Sequence, residues 1–127
     1  MNNPKLQESD STNIWNELSN KYNVRKATFH EIKEISNELY NAGEISLKDV
    51  AVLTFDYDKA TNYLKRNAPV TIDNSFDMYE TSSNNKGERD WILEFNARAQ
   101  KDLKYGNLIG YNNNIKILHI LQQLDNE

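Results

Sequence analysis

The sequence contains no cysteine and few residues that break helices, with two prolines and four glycines among 127 residues. The missing cysteines exclude disulfides, zinc sites built from thiolates and cysteine nucleophiles, so packing alone has to hold the fold together. Four scattered glycines do not make a glycine-rich phosphate loop, and we therefore do not expect nucleotide binding of that kind.

Long apolar runs are also missing. No stretch approaches the roughly 18 consecutive apolar residues that a membrane span requires. The amino terminus, Met-Asn-Asn-Pro-Lys, leads into polar sequence rather than into the apolar region of a signal peptide. These features predict residence in the cytoplasm, and the abundance of Asn, Lys and Ile indicates an AT-rich coding genome, bacterial or phage.

Charge and composition describe an acidic, folded chain of one domain. The formal net charge is −4 and the isoelectric point is near 5.2, which opposes non-specific attraction to nucleic acid or anionic lipid. The hydrophobic fraction of 38% predicts a modest core, while the aromatic fraction of 10% argues against disorder.

The chain divides into an arm and a body. Residues 1–13 are polar and lack a helix cap, so we expect a flexible amino-terminal arm followed by a single helical domain over residues 14–127. The apolar cluster Ile14, Trp15 and Leu18 predicts one or two helical turns at the start of that domain.

Two capping boxes mark the next helices. Thr28 and Glu31 begin a helix that ends at Gly43, with an apolar stripe of Phe29, Ile32, Ile35, Leu39 and Tyr40. Ser46 and Asp49 repeat the box for a second helix that reaches about Thr54. Together they predict a helical hairpin over residues 28–54.

A third, short helix is predicted from Lys59 to about Arg66, capped by Asp56 or Asp58, with Ala60, Tyr63 and Leu64 facing inward. Residues 68–87 are rich in Asn, Ser, Thr and Asp, and we expect them either to hold a short strand or to drape over the helices.

The last third predicts a second helical hairpin. Its first helix runs from Glu88 to Tyr105 and is closed by Gly106; the second runs from about Asn112 to Leu124 after Gly110. The apolar stripes are Ile92, Phe95, Ala99 and Leu103, then Ile117, Leu118, Leu121 and Leu124. The predicted fold class is therefore mostly all-α, a small bundle of four or five helices with a polar irregular segment between the third and fourth.

The run Leu39-Tyr40-Asn41-Ala42-Gly43-Glu44-Ile45-Ser46-Leu47, with the later Asp90-Trp91 pair, resembles a small uncharacterised protein family of Bacillus-type bacteria. This resemblance covers about half of the chain. The family carries no known active site, so the resemblance transfers no functional residue.

The hairpin over residues 28–54 leaves a DNA-binding helix-turn-helix as an alternative. Gly43 and Val52 fit that pattern, but Asp49 and Glu38 occupy positions that it usually keeps apolar. Lys48 is the only basic residue of the second helix, whereas groove binding draws on several. A plain helical hairpin is the favoured interpretation.

The sequence gives little support for a metal site or for a catalytic triad. Asp56-Tyr57-Asp58 resembles the opening of a calcium loop, but Thr61 and Asn67 stand where that loop needs Gly and Glu. His30 and Glu34 lie one helical turn apart, yet the only other histidine is His119. Neither a nucleophile elbow nor a comparable local motif is present. We predict no cofactor and no metal.

The helix from Glu88 to Tyr105 alternates in charge, and Glu94 and Arg98 form an i, i+4 pair in the favourable order. Such a face is usually solvated; an interaction surface anchored by Trp91 and Arg98 is the alternative.

The sequence as a whole predicts a non-enzymatic helical module that binds an unknown protein partner or itself in a bacterial cytoplasm. Its alternatives are a DNA-binding regulator through residues 28–54, and a small-ligand binder or enzyme with a cleft beside residues 68–87. Aromatic and Arg side chains dominate the energetics of protein interfaces. The candidate contact residues are accordingly Tyr57, Phe76, Tyr79, Trp91, Arg98, Tyr105 and Tyr111.

Overall fold

A computed structural model describes the backbone of residues 4–126 and the side chains of residues 13–125. This range holds six helices and no strand, which confirms the all-α prediction. The helices are α1 (Pro4–Lys21), α2 (Phe29–Asn41), α3 (Leu47–Leu53), α4 (Tyr57–Asn67), α5 (Trp91–Lys104) and α6 (Leu108–Asn126). None of these helices is both long and apolar enough to cross a membrane.

The structure has six helices rather than the predicted four or five. The additional helix includes Trp15, where only one or two helical turns were predicted. It is the 18-residue helix α1, which begins at Pro4. Proline suits a first helical position, since the amide it lacks would have no partner there. Residues 1–3 of the predicted arm lie outside the described range, and residues 4–13 have helical backbone; the mobility of the arm stays a prediction.

Both capping boxes form as predicted. Glu31 N donates to Thr28 Oγ1 over 3.1 Å and Thr28 N to Glu31 Oε1 over 3.0 Å. Ser46 and Asp49 exchange the same pair of bonds, at 2.9 and 3.1 Å. Gly43 follows α2 with a φ of 76°, a left-handed conformation that favours glycine. The hairpin of α2 and α3 is therefore specified locally.

The core lies between α1, α2, α5 and α6, and α5 packs closely along α6. Ile32, Ile35 and Leu39 of the α2 stripe are fully buried, whereas Tyr40 at its end is 44% exposed. All four predicted α6 residues are buried. Of the predicted α5 stripe only Leu103 is exposed, because it lies in the last turn beside the α5–α6 connection.

The inward face predicted for α4 is wrong. Tyr63 is 62% and Leu64 38% exposed, and Ala60 is half-buried. Within the described range, the backbone of α4 does not run close to another helix, and its first residue, Tyr57, contacts Arg98 of α5 through the ring. The rest of α4 lies on residues 74–79, where Thr61 Oγ1 accepts from Met78 N over 2.9 Å. A helix that rests on an irregular segment needs no wide apolar stripe. Of the two predicted caps, Asp56 is the one used.

Gly110 does not separate the last two helices as predicted, because α6 begins at Leu108 and contains it. Asn107 caps the helix instead, with its Oδ1 accepting from Gly110 N over 2.9 Å. A Cβ at Gly110 would lie 2.5 Å from Asn107 Nδ2 and 2.6 Å from Asp102 Oδ2. A side chain at this position would therefore require the side chains of Asn107 and Asp102 to shift, and the glycine does not form a turn. Gly106, with a φ of 75°, ends α5 as predicted.

Candidate functional site

Helix α5 turns a charged pair inward. Asp90 caps its first turn by accepting from the amides of Ile92 and Leu93. The spacing i, i+3, i+4, i+7 then places Trp91, Glu94, Phe95 and Arg98 on one face. All four are buried, with Glu94 at 0% and Arg98 at 5% exposure. The expectation that Glu94 and Arg98 lie on a solvated face is wrong, because residues 78–81 and Tyr57 cover them.

The Glu94 carboxylate fixes the irregular segment onto α5. It accepts hydrogen bonds from Glu80 N (3.2 Å), Thr81 N (2.9 Å), Thr81 Oγ1 (2.6 Å) and Arg98 Nε (2.8 Å). Burial acts to raise the pKa of the Glu94 carboxyl, but the Thr81 hydroxyl and the Arg98 guanidinium outweigh it. The pKa therefore lies below its ordinary value, and Glu94 is ionised at neutral pH.

Two guanidinium groups share this one carboxylate. Arg98 pairs with it directly, and Arg89 Nη1 lies 3.8 Å from Glu94 Oε1 while donating to the carbonyl oxygen of Thr81. Each guanidinium also stacks on a tyrosine ring: Arg98 on Tyr57 and Arg89 on Tyr79, both at 3.7 Å from the ring centroid. We call Glu94, Arg89, Arg98, Tyr57 and Tyr79 the arginine cluster. Two cations and one anion leave it with a net positive charge.

One donor of the cluster has no acceptor. Arg98 Nη2 is buried and makes no hydrogen bond within the described part of the chain. Buried polar groups are nearly always bonded, and an unmade bond costs on the order of 1 to 3 kcal/mol or more for a charged group. An unpaired guanidinium nitrogen is therefore a cost to stability that an additional acceptor would relieve.

Both tyrosines of the cluster are held neutral. Burial, together with the charge of Asp58, raises the pKa of the Tyr79 phenol to about 12, against the opposing charge of Arg89. Burial also raises the pKa of Tyr57, which Arg98 opposes. At neutral pH the two rings therefore act as uncharged stacking surfaces for the guanidinium groups.

A groove opens beside the arginine cluster, between α3, the start of α4 and the first half of α6. Its volume is about 360 Å³ and its walls are mostly apolar. A smaller hollow of about 160 Å³ lies on the other side, against Met78 and Glu80. Tyr57, Arg98 and Asn114 line both and so form the wall between them. The groove is lined by Lys48, Ala51, Val52, Phe55, Tyr57, Arg98, Asn113 and Asn114.

The structure separates the predicted contact residues into three groups: interior, half-buried and exposed. Trp91 and Arg98 are interior residues and offer no exposed side chain, because α5 turns them toward the core and the 78–81 segment. Tyr57 and Tyr79 are half-buried in the arginine cluster, and Tyr111 is half-buried at the start of α6. Phe76 and Tyr105 are the exposed members, at 41% and 72%.

Tyr105 belongs to an apolar surface that the sequence prediction missed. Leu103, Tyr105, Leu108 and Ile109 at the α5–α6 connection are exposed at 46%, 72%, 60% and 75%. We call these four residues the turn patch. The sequence did not predict Leu108 and Ile109 as surface contact residues, because it placed the start of the last helix near Asn112. The signal available was Leu108-Ile109 itself, two apolar residues beside a helix-ending glycine.

The other candidate motifs have structural roles. Asp56 accepts from Lys59 N over 2.9 Å as the cap of α4, and the exposed His30 pairs with Glu34 over 2.7 Å. Asp49 pairs with Lys116 of α6 over 2.9 Å, which joins α3 to the core. Among the described side chains, no three His, Asp or Glu residues come close enough together to hold a metal ion.

Comparison with models of protein families, with curated proteins and with solved structures found no match to the chain. The resemblance to an uncharacterised Bacillus-type family therefore stays a prediction, and the function has to be argued from the geometry.

Proposed function

We propose that the protein is a non-enzymatic helical module that binds another protein through the turn patch. The observation that carries this proposal is the exposure of four large apolar side chains within seven residues of chain, three of them at 60% or more. Single exposed apolar residues are ordinary on protein surfaces, but several gathered at one connection between two helices are typical of an interaction site. Residence in a bacterial cytoplasm stays part of the proposal.

The patch has the composition of an interface centre. It contains a tyrosine and three aliphatic side chains, and aromatic residues are enriched in the buried centres of interfaces. Lys104 lies 5.7 Å from the centre of the Tyr105 ring, at the edge of the patch. Lys101 is close by in the sequence but pairs with Glu80 over 3.3 Å. A partner with an apolar surface edged by carboxylates fits this arrangement.

Charge favours a different protein over a second copy of this one, and size indicates a weak contact. A stable interface with either kind of partner usually buries about 20 to 30 residues a side, far more than the turn patch offers. A two-fold interface also places the same surface on both copies, so that two Lys104 side chains would lie near each other. The proposed contact is therefore a transient one with a partner that is acidic at its edge.

The test is photo-crosslinking in cells that naturally express the protein. A photoreactive amino acid at Tyr105 should give one discrete covalent adduct, while the same amino acid at the exposed Lys59 should give none. Ile109→Asp should abolish the Tyr105 adduct and Lys59→Asp should leave it unchanged. Both substitutions are on the surface and should alter stability by no more than about 0.5 kcal/mol.

The masses of the adducts distinguish the outcomes. An adduct heavier than the protein by one foreign chain supports the proposal, whereas an adduct of twice its own mass shows self-association instead. Equal adducts from positions 105 and 59, or none from either, would contradict binding through the turn patch.

A further inference from the structure

The groove beside the arginine cluster has a chemistry that the turn patch does not explain. We propose that it binds a small carboxylate with an apolar body, and that Arg98 supplies the positive charge that recognises the carboxylate. This site is independent of the protein-binding function proposed above, since the groove and the turn patch share no residue.

The charge of the groove selects an anion. Its lining includes two cationic side chains, Arg98 and Lys48, and no carboxylate. Glu94 cannot satisfy the cluster alone, because Arg89 and Arg98 share its single negative charge. Asp49 on the neighbouring α3 is already engaged by Lys116. Asp102 and Glu80 line only the smaller hollow, where Asp102 accepts from Asn114 Nδ2 over 2.8 Å.

The unpaired donor identifies the atom of Arg98 that is available to bind an anion. Arg98 Nε already donates to Glu94 over 2.8 Å. Nη2 has no acceptor, although only 5% of the Arg98 side chain is exposed. A carboxylate accepts charge-assisted bonds from a guanidinium, and these are stronger than bonds between neutral groups. A bound carboxylate oxygen would satisfy Nη2 and complete the hydrogen bonding of the cluster.

Access to Nη2 requires one side chain to move. Arg98 lines the groove, but its Nη2 atom is itself buried, and Tyr57 and Asn114 are the other two residues that line both the groove and the smaller hollow. Rotation of Asn114 or a shift of the half-buried Tyr57 ring joins the groove to the smaller hollow. Side-chain rotations of this kind are common on binding, while the backbone of a preformed site moves little.

The rest of the groove selects an apolar body. Ala51, Val52 and Phe55 form its apolar wall, and Phe55 is 52% exposed. A volume of about 360 Å³ lies at the lower end of the range for small-molecule sites. A compact alkyl or aryl carboxylate fits that size, with Lys48 in the lining as a second cation. Phosphate alone would leave the apolar walls uncovered.

The experiment uses 3-phenylpropanoate as the probe and 3-phenylpropanamide as its uncharged counterpart. Each is titrated into the ¹⁵N-labelled protein while backbone amides and the Arg98 Nε–H signal are followed by NMR. The carboxylate should shift Ala51, Val52, Asn113 and Arg98 saturably, and the amide should bind at least tenfold more weakly. Acetate and phosphate should produce no saturable shift at these residues.

Two matched pairs of variants locate the site. Ala51→Trp should fill the groove and abolish binding, while Ala42→Trp, at another exposed alanine, should not. Lys48→Gln should weaken binding severalfold and Lys59→Gln should leave it unchanged. All four change exposed residues, so the spectra should show an intact fold, and none alters Arg98, whose replacement endangers folding.

Four results would overturn the proposal. Equal binding of the acid and the amide would show an apolar groove that does not recognise charge. Saturable shifts with acetate or phosphate would show a simple anion site. Absence of saturable shifts with 3-phenylpropanoate, or binding that survives Ala51→Trp, would show that the groove is not a ligand site.

Discussion

Replacing Glu94 by Gln tests the buried centre of the structure most severely. Four donors converge on this carboxylate: two backbone amides, one hydroxyl and one guanidinium. Glutamine keeps the shape but has one carbonyl oxygen and turns an amino group toward the remaining donors. At least two donors then lose their acceptor, at about 1 to 3 kcal/mol each.

That sum agrees with the cost of breaking a buried ion pair from one side, about 3 to 5 kcal/mol. Because a domain of this kind is stable by only about 5 to 15 kcal/mol, Glu94→Gln should remove a large part of its free energy of unfolding. The assay is urea denaturation at pH 7, followed by the fluorescence of Trp15 and Trp91 and by far-ultraviolet circular dichroism.

The control is Glu38→Gln, which removes an exposed glutamate of α2 and should change stability by no more than about 0.5 kcal/mol. In a double-mutant cycle, Arg98→Met should cost less in the Glu94→Gln background than in the parent, with a coupling of about 0.5 to 3 kcal/mol. Equal effects of Glu94→Gln and Glu38→Gln would refute the reasoning.

Three further outcomes follow from the same cluster. Thr81→Val, which removes a hydroxyl bonded to an ionised acceptor at 2.6 Å, should cost about 1.5 to 3 kcal/mol in urea denaturation, whereas Thr71→Val at an exposed site should be nearly neutral. Because the folded-state pKa of Glu94 is lowered, its contribution is present above the unfolded pKa of about 4.3 and is lost as the pH falls through the folded value. The stability difference between the parent and Glu94→Gln should therefore shrink below about pH 4, and a constant difference would count against an ionised Glu94. Because the pKa of Tyr79 is raised to about 12, the stability linked to its neutral phenol is present below the unfolded value near 10 and is lost toward pH 12. Ultraviolet titration should show a late component that Tyr79→Phe reduces and Tyr63→Phe, at a 62% exposed tyrosine, does not.

The elements that the sequence predicted correctly are those with local signals. The boxes Thr28–Glu31 and Ser46–Asp49 satisfy their own amides within four residues, so tertiary contacts are not needed to recognise them. The buried α6 stripe and the stop at Gly106 are likewise visible in the spacing of a few residues.

The candidate site depends on contacts between distant segments. The i, i+4 spacing of Glu94 and Arg98 is the same whether the pair is exposed to water or buried. The residues that bury the pair, Glu80 and Thr81, lie 14 and 13 positions before Glu94, so no local pattern reveals them. The spacing of Trp91, Glu94, Phe95 and Arg98 did place the charged pair on the apolar face. That combination was the available signal for burial, and the alternation of charge along the helix obscured it.

The Nε–H signal of Arg98 in arginine-detected ¹⁵N NMR tests most directly whether α5 turns its charged pair inward. The hydrogen bond to Glu94 and the 5% exposure predict slow exchange of this proton with water, while the exposed Arg66 exchanges fast. Glu94→Gln should accelerate the exchange at Arg98 and leave Arg66 unchanged. Exchange at Arg98 as fast as at Arg66 in the parent protein would place the guanidinium in water and contradict the account.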